Sequence, residues 1–404
     1  MILNGILGTL AVLSLALTLW QWLAARRFPL HRRGAGSAFA PAVTLLKPIK
    51  GADEHTATCL RSWFTQDYPG EIQILFGVAS ADDPACGIIR KLISEFPQCN
   101  AQLVVCPERL GANAKVSKLA QLEPLVRHDV VVVSDADVRV PADLLANIVS
   151  PLQDGQLGLV NCFYQLANPS TLAMRWEAVA TNADFWSQVL QARSLKPLDF
   201  ALGAVMATRR KQLDEIGGFR ALSDCLADDY QLGHRIAKRG YRIELCPIVV
   251  DCWSSPMKWR AVWQHQLRWA RTIRVCRPLP YFFSLLSNAT LWPLLWLLAA
   301  RPAIVIATQS SAAGGTIVSN ISVPTSAILI LICLVVRVAT ALNLQQRLTR
   351  SPVHFSGLGL VLLKDLLQAL IWAGAFAGNR IEWRGERYRL RRDGTLERLP
   401  VRTA

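Results

Sequence analysis

The distribution of apolar and charged positions divides the chain into three regions, the first of which is an N-terminal apolar run. Residues 2–25 carry no charge and are long enough for a helix that spans a bilayer. Arginines follow at positions 26, 27, 32 and 33, so the positive-inside rule predicts an N-terminus outside the cell and a cytoplasmic remainder. A cleaved signal peptide carries its charges before its apolar run. We therefore expect an uncleaved anchor at residues 1–26 and a basic linker at 27–41.

The second region, residues 42–255, alternates short β-rich runs with helix-like stretches. Near-continuous apolar strands between helices are typical of a buried, mostly parallel sheet. The pattern predicts an α/β domain with a Rossmann-like sheet, large enough to have its own core. The runs are AVTLL at 42–46, IQILFGV at 72–78, QLVV at 102–105 and DVVVVS at 129–134.

The third region begins with a basic amphipathic helix, predicted at residues 256–278. Its arginines gather toward one side, and a Trp-rich helix of this kind is typical of a membrane interface. The apolar stripe comprises Trp259, Val262, Trp263, Leu267, Ala270 and Ile273.

Membrane segments are predicted at residues 279–379, where apolar runs occupy 280–300, 325–342 and 354–378. Lys364 and Asp365 interrupt the last run, and such a pair is costly in hydrocarbon unless it is buried or paired. We therefore expect two spans and one re-entrant or packed segment, followed by a basic cytoplasmic tail at 380–404.

Composition supports the membrane interpretation. The chain is 52% hydrophobic and only 18% charged, which is less charge than a soluble domain usually has. The net charge is +15, and the basic residues lie beside the apolar runs and in the tail. This placement favours a membrane surface, and we expect no nucleic-acid partner. Ten scattered cysteines without a C-x-x-C pair argue against a zinc site or a disulfide framework.

Three acidic clusters follow predicted strands or begin a predicted helix, where α/β folds place active sites. In the second cluster, Asp135 and Asp137 are separated by one residue and can share a divalent cation, Mg²⁺ or Mn²⁺. Such a cation neutralises a departing diphosphate. An exposed turn after a strand is the alternative explanation of this motif. The three clusters are Asp82-Asp83, Asp135-Ala136-Asp137 and Asp228-Asp229.

The third acidic cluster and Lys115 each have both a structural and a chemical interpretation. Asp228 and Asp229 can both serve a helix N-terminus, or Asp228 caps the helix while Asp229 accepts a proton from an acceptor hydroxyl. Lys115 opens a predicted helix whose free backbone amides suit a phosphate, with a solvated lysine as the alternative. Lys50 ends the first strand, where a nucleotide base or ribose would sit.

Taken together, the motifs resemble those of the ceramide glucosyltransferase family, glycosyltransferase family 21. The resemblance covers nearly the whole chain and implies a family 2-like GT-A fold in the α/β domain. One stretch, residues 265–274 with 226–233, looks closest to a bacterial branch linked to hopanoid biosynthesis. The motifs are LLKPIKG (45–51), DDP (82–84), DAD (135–137), ADDY (227–230), RW (268–269), IEWR (381–384) and RYRL (387–390).

The resemblance also implies residue roles. It places Asp83 near the uridine, Asp135 at the metal and diphosphate, and Asp229 as the catalytic base. It implies an inverting enzyme with Mg²⁺ or Mn²⁺ that moves a hexose or N-acetylhexosamine from a UDP-sugar donor to a membrane lipid, ceramide or a hopanoid. The expected location is the bacterial inner membrane, with the catalytic domain in the cytoplasm.

The family's closing motif falls on the amphipathic helix. Arg268 and Trp269 match it and are expected near the diphosphate and the acceptor sugar pocket. His265 occupies a position that usually holds Gln or Arg, and it is expected to share a helix face with Trp269. An arginine-tryptophan pair on such a helix is otherwise explained as a membrane anchor.

Two rival functions are compatible with parts of this pattern. A processive polysaccharide synthase shares the aspartate and Arg-Trp motifs, but it needs enough spans to form a polymer channel, and three or four apolar segments form a poor one. A non-catalytic membrane scaffold would have been favoured by loss of an aspartate cluster, and all three are present.

Overall fold

The structure, a computed structural model, describes residues 2–34, 39–300, 305–309, 318–322, 324–352, 358–383 and 385–400. Part of the predicted linker (35–38), the start of the last apolar run (354–357), Arg384 of the tail motif and residues 401–404 lie outside the described residues. The α-helices are α1 (Ile2–Arg27), α2 (Thr56–Phe64), α3 (Ala85–Glu95), α4 (Ala114–Leu122), α5 (Leu144–Val149), α6 (Leu172–Val179), α7 (Trp186–Leu195), α8 (Arg210–Glu215), α9 (Asp228–Lys238), α10 (Trp259–Cys276), α11 (Pro278–Phe283), α12 (Leu291–Ala300), α13 (Thr325–Thr349) and α14 (Leu358–Phe376).

The strands form three sheets, and the largest has the order β3-β2-β1-β4-β7-β6-β8-β5. Its first four strands are parallel, β6 pairs in parallel with β8, and β7 is antiparallel to both of its neighbours. The predicted α/β domain with a mostly parallel sheet is therefore confirmed. The strands are β1 (Val43–Pro48), β2 (Ile72–Val78), β3 (Asn100–Val105), β4 (Val130–Ser134), β5 (Val138–Arg139), β6 (Leu157–Leu166), β7 (Val205–Arg209), β8 (Arg242–Cys252), β9 (Val305–Gln309), β10 (Val318–Ser322), β11 (Arg380–Trp383), β12 (Glu386–Leu390) and β13 (Leu396–Arg398).

The centre of this sheet is buried on both faces, which explains the apolar runs in the sequence. Every residue of β1 and β4 is buried. One of these buried residues, Lys47 in β1, is charged. Its ammonium lies 4.9 Å from the Trp63 ring and donates to the Ser134 hydroxyl at 3.1 Å. Burial lowers the pKa of Lys47 to about 8. Lys47 also donates to the backbone carbonyl of Asp135, so it ties the end of β1 to the acidic loop that follows β4.

Within the described residues, three helices, α1, α13 and α14, are long and apolar enough to cross a membrane, and Pro278–Ser287 with α12 forms a bent pair that is a fourth candidate. The chain is a membrane protein, as the sequence predicts. Trp22 of α1 donates to the Asn343 side chain of α13 at 2.9 Å, and Arg347 of α13 donates to the Phe28 carbonyl at 2.5 Å. The C-terminal ends of α1 and α13 therefore lie side by side. The count of two spans and one re-entrant segment stays a prediction.

The charged pair inside the last apolar run is buried and paired. Arg337 of α13 donates to both carboxylate oxygens of Asp365, at 2.7 and 2.8 Å, and to Asp184 at 2.7 Å. Lys364 contacts Asp365 at 2.7 Å and also contacts Asp184. Asp184 belongs to a π-helical turn (Ala180–Phe185) of the α/β domain. This buried ion cluster (Asp184, Arg337, Lys364 and Asp365) therefore joins α13 and α14 to the α/β domain.

The tail, which the sequence presents mainly as a run of arginines, is folded. Strands β11, β12 and β13 form an antiparallel sheet, called here the C-terminal sheet. It packs against the α/β domain through its own apolar cluster. The cluster consists of Leu226, Ile381, Tyr388, Leu390 and Leu396.

Candidate active site

A cleft opens at the carboxyl ends of β1 and β4. Parallel strands present their carboxyl ends at one edge, so the loops after them meet there. The cleft holds side chains from four parts of the chain: the end of β1 with its loop, α4, the loop after β4 and the C-terminal sheet. Its lining residues are Pro48, Lys50, Ala114, Lys115, Lys118, Asp135, Ala136, Trp383, Glu386 and Tyr388.

Lys115 connects two of the acidic clusters. Its ammonium lies 2.8 Å from Asp135 Oδ1 and 2.9 Å from Asp228 Oδ2. Burial lowers the pKa of Lys115, but the attraction of Asp135 and Asp228 outweighs it, so that pKa stands well above its ordinary value. The expected phosphate site at free backbone amides needs correction, because Asn113 Oδ1 accepts from the Lys115 and Val116 amides at 3.0 and 3.2 Å. The side chain of Lys115, rather than its backbone, is the cationic group at the cleft.

Asp228 and Asp229 begin α9, where the structure changes one of the sequence expectations. The N-cap residue is Ala227, so neither aspartate occupies the N-cap position. Asp228 instead forms the ion pair with Lys115, a contact that requires the tertiary fold to bring α4 and α9 together. Asp229 Oδ1 accepts from the Tyr230 amide at 2.7 Å. A Cβ at Gly203 would lie 2.8 Å from Asp229 Oδ2, so a larger residue there would have to displace this carboxylate.

The electrostatic surroundings of Asp229 favour a proton acceptor. Burial, with the negative charge of Asp228, raises the pKa of Asp229 to about 6, against the attraction of Lys115. Within the described part of the chain, Asp229 forms no ion pair. A carboxylate with this pKa is ionised at neutral pH and binds a proton more tightly than an ordinary aspartate does.

Asp135 and Asp137 have the chemistry of a partial cation site. The Asp135 side chain is 39% exposed at the cleft, and Asp137 is exposed. Among the described residues, no group of three or more His, Cys, Asp or Glu side chains is arranged to hold a metal. Mg²⁺ is commonly bound by one or two carboxylates together with substrate phosphates and water. Two accessible carboxylates therefore fit a cation that arrives with a diphosphate.

Asp83 holds the loop that follows β1. Its two carboxylate oxygens accept from the Gly51 amide at 3.0 and 3.1 Å, and Oδ1 accepts from the Ala85 amide at 3.0 Å. Gly51 has a φ of +72°, a conformation that favours glycine. Asp83 thus fixes the backbone beside Lys50, which lines the cleft. Its expected contact with a uridine stays a prediction.

The closing motif lies on α10, and its Arg268 contacts Trp383, a residue that lines the cleft. His265 donates through Nδ1 to Glu177 at 2.6 Å, and its ring packs against Trp269 with centroids 4.9 Å apart. The Arg268 guanidinium lies 5.7 Å from the Trp383 ring. Among the described residues, those lining the cleft include none of His265, Arg268 and Trp269. Sequence reasoning missed Glu177, which is 1% exposed and also accepts from Gln266.

Sequence reasoning quoted Trp383 and Tyr388 only as parts of the tail motifs and assigned no tail residue to the site. Trp383, Glu386 and Tyr388 line the cleft together with Asp135, although more than half the length of the chain separates them from Asp135 in the sequence. The signal that could have found them is the alternation of Ile381 with Trp383, and of Tyr388 with Leu390, which marks short strands. The arginines between these residues obscured this alternation.

Comparison with known proteins gives a family that fits this site. The family model described as glycosyl transferase family 21 matches residues 6–396. Ceramide glucosyltransferase 3 of Caenorhabditis elegans is 24% identical over 241 residues, which cover 59% of this chain and 52% of that protein. The β-monoglucosyldiacylglycerol synthase of Trichormus variabilis is 24% identical over 246 residues, which cover 60% of this chain and 51% of that protein. The chain thus spans about half the length of these relatives.

Among solved structures, the chain is similar to the mannosyltransferase PcManGT of Pyrobaculum calidifontis, in complex with GDP-Man and Mn²⁺. The identity is 22%, the TM-score is 0.49, and the similarity covers 89% of this chain and 99% of that one. The mostly parallel sheet that ends at the acidic loops agrees with the α/β fold expected from the sequence. With a match that extends from residue 6 to residue 396, the chain belongs to glycosyl transferase family 21.

Proposed function

We propose that this protein is an inverting membrane glycosyltransferase that moves a hexose or N-acetylhexosamine from a UDP-sugar to a lipid hydroxyl. The observation that carries the proposal is one connected group of charges at the cleft. Lys115 bridges Asp135 and Asp228 at 2.8 and 2.9 Å, and Asp229, with a pKa of about 6, follows Asp228 in the chain. Family membership supports the same chemistry.

In the proposed reaction, the lipid hydroxyl oxygen attacks the anomeric carbon of the donor sugar in a single displacement. Asp229 accepts the hydroxyl proton as the new bond forms. The bond between the anomeric carbon and the phosphate oxygen breaks, and UDP leaves with the electron pair. An α-linked donor therefore gives a β-linked product.

The cationic groups at the cleft stabilise the departing diphosphate in this proposal. Lys115 stays charged because Asp135 and Asp228 flank it, so it can attract the developing negative charge. Asp135 and Asp137 would hold Mg²⁺ or Mn²⁺, which supplies further neutralisation of the diphosphate when bound. Lys50 lies at the same cleft and is positioned to contact the nucleotide.

The acceptor is proposed to be a lipid because the α/β domain is joined to the candidate membrane helices. The buried ion cluster and the packing of α10 against α14 and α6 bring the Arg268 helix and the apolar helices into one unit. We place the catalytic domain on the cytoplasmic side, since arginines flank the end of α1, and the protein in a bacterial inner membrane. Ceramide and a hopanoid are both candidate acceptors.

The test incubates the full-length protein in membranes with radiolabelled UDP-glucose or UDP-N-acetylglucosamine, followed by lipid extraction. Label in the organic phase, absent from membranes without the protein, is the expected result, and mass spectrometry of the labelled lipid identifies the acceptor. Label in an insoluble polymer would support a processive synthase instead. No incorporation from either donor would contradict the proposal.

A further inference from the structure

We propose that the C-terminal sheet forms one wall of the donor site and that Trp383 contacts the bound sugar nucleotide. The proposal rests on the proposed function, because it assigns a residue to the donor of that reaction. The first observation is position. Trp383, Glu386 and Tyr388 line the same cleft as Lys115 and Asp135, which are the groups proposed to meet the diphosphate.

The C-terminal sheet is fixed to the loop that leads into α4. Arg109 donates to Glu386 Oε1 at 2.9 Å, to the Tyr388 hydroxyl at 2.8 Å and to the Ala112 carbonyl at 2.7 Å. The Tyr388 hydroxyl in turn donates to Glu386 Oε2 at 2.6 Å. The hydrogen bond from Arg109 lowers the pKa of Glu386 to about 2, so this carboxylate stays ionised and paired. The wall is thereby held next to Lys115.

The same sheet is fixed to the two other segments that carry site residues. The Leu226 amide donates to the Gly394 carbonyl at 3.3 Å, and the Leu396 amide donates to the Asp224 carbonyl at 2.7 Å, just before Asp228 in the chain. On the other side, Arg274 of α10 donates to the Asn379 side chain at 2.5 Å.

Through these contacts, the tail is attached to each of the segments that carry Lys115, Asp228 and Arg268. A tail that had no part in the site would not need contacts with three elements that carry site residues.

Trp383 is the member of the sheet whose chemistry suits a donor contact. Its ring is partly buried, and the Arg268 guanidinium lies 5.7 Å from its centroid. An indole offers a flat apolar face that packs against a base or against the C–H face of a sugar ring. A cation above the ring holds it in place and adds positive charge beside the diphosphate region. Trp383 therefore acts with Arg268 as a donor contact.

The test compares Trp383→Ala, Trp383→Phe and the matched control Glu382→Gln in full-length protein. Adjacent side chains of a strand point to opposite faces, and Glu382 is exposed. Trp383→Ala is expected to raise the KM for the UDP-sugar about tenfold, the order expected for loss of one ring contact. The KM for the lipid should stay unchanged, Trp383→Phe should restore most of the loss, and Glu382→Gln should resemble the unaltered protein.

Titration of the same proteins with UDP and with UDP-sugar gives a readout independent of transfer. Weaker binding of both ligands to Trp383→Ala supports contact with the nucleotide, and weaker binding of UDP-sugar alone supports contact with the sugar. Donor KM and donor binding equal to those of Glu382→Gln would overturn the proposal. Absence of transfer in the unaltered protein, with donor binding intact, would instead count against the proposed function.

Discussion

Two clusters of charged side chains contain similar residue types but serve different purposes. The buried ion cluster pairs two cations, Arg337 and Lys364, with two carboxylates, and Asp365 is only 3% exposed. At the cleft, Lys115 bridges two carboxylates, and Asp135 is 39% exposed. The first arrangement is closed to ligands and balanced in charge. The second leaves carboxylate oxygens accessible, so that a cation, a diphosphate or a proton can still be bound.

The comparison shows how burial decides what a charged group does. A buried pair has to satisfy its own charges, since no water or ligand can do so. A half-exposed carboxylate can exchange partners during a reaction. The buried ion cluster is therefore expected to control stability and the cleft cluster to control turnover, and single substitutions in each can separate these effects.

Apart from substitution of Asp229, the largest effect is expected from Asp135→Asn. The substitution removes a carboxylate that meets both Lys115 and the proposed cation, so transfer should fall by about a thousandfold, as for loss of a central electrostatic contact. The stimulation of transfer by Mg²⁺ or Mn²⁺ should be lost as well, measured as initial rates across a cation titration. Thermal unfolding should change little. A variant that keeps its cation dependence would remove Asp135 from the metal site.

Asp365→Asn should affect stability instead. It leaves Arg337 and Lys364 with a single carboxylate, and breaking a buried pair costs about 3–5 kcal/mol of the free energy of unfolding. The melting temperature should fall, while transfer per folded molecule stays near normal. The double variant Arg337→Met with Asp365→Leu, which removes one charge of each sign, should recover part of the loss. An unchanged melting temperature in the single variant would contradict this assignment.

The pH dependence of transfer sharpens the cleft side of the comparison. Because the pKa of Asp229 is raised to about 6, its carboxylate is ionised above that pH and protonated below it. A protonated base cannot accept the acceptor proton, so the rate should fall about tenfold per pH unit below pH 6 and level off above it. Since Asp228 raises this pKa, Asp228→Asn should move the inflection to lower pH. A flat profile through pH 6 would contradict the proposed base.

Much of the fold could be predicted because the relevant signals are local. The runs at 42–46 and 129–134 are apolar since both faces of β1 and β4 are buried, and Asp135 follows β4 directly. The charged pair Lys364-Asp365 was correctly expected to need burial or pairing. Its partners Arg337 and Asp184 come from other elements, and nothing in their local sequence identifies them.

The unpredicted part of the site depends on contacts between distant residues. The ion pair of Asp228 with Lys115 links two helices, so local reasoning assigned Asp228 to a cap instead. The C-terminal sheet was hidden because the tail alternates apolar residues with arginines, and its total charge dominated the interpretation. Trp383 could be placed at the cleft only when the strands were known to fold back onto Asp135 and Lys115.

The most direct test of the proposed chemistry compares Asp229→Asn with the unaltered protein for lipid glycosylation and for UDP-sugar binding. The substitution keeps the size of the side chain and its acceptance from the Tyr230 amide, but it removes the proton acceptor. Transfer should fall by about a hundredfold to ten-thousandfold, the usual contribution of a general base, while donor binding is retained. Full transfer by Asp229→Asn would contradict the assignment of Asp229 as the catalytic base.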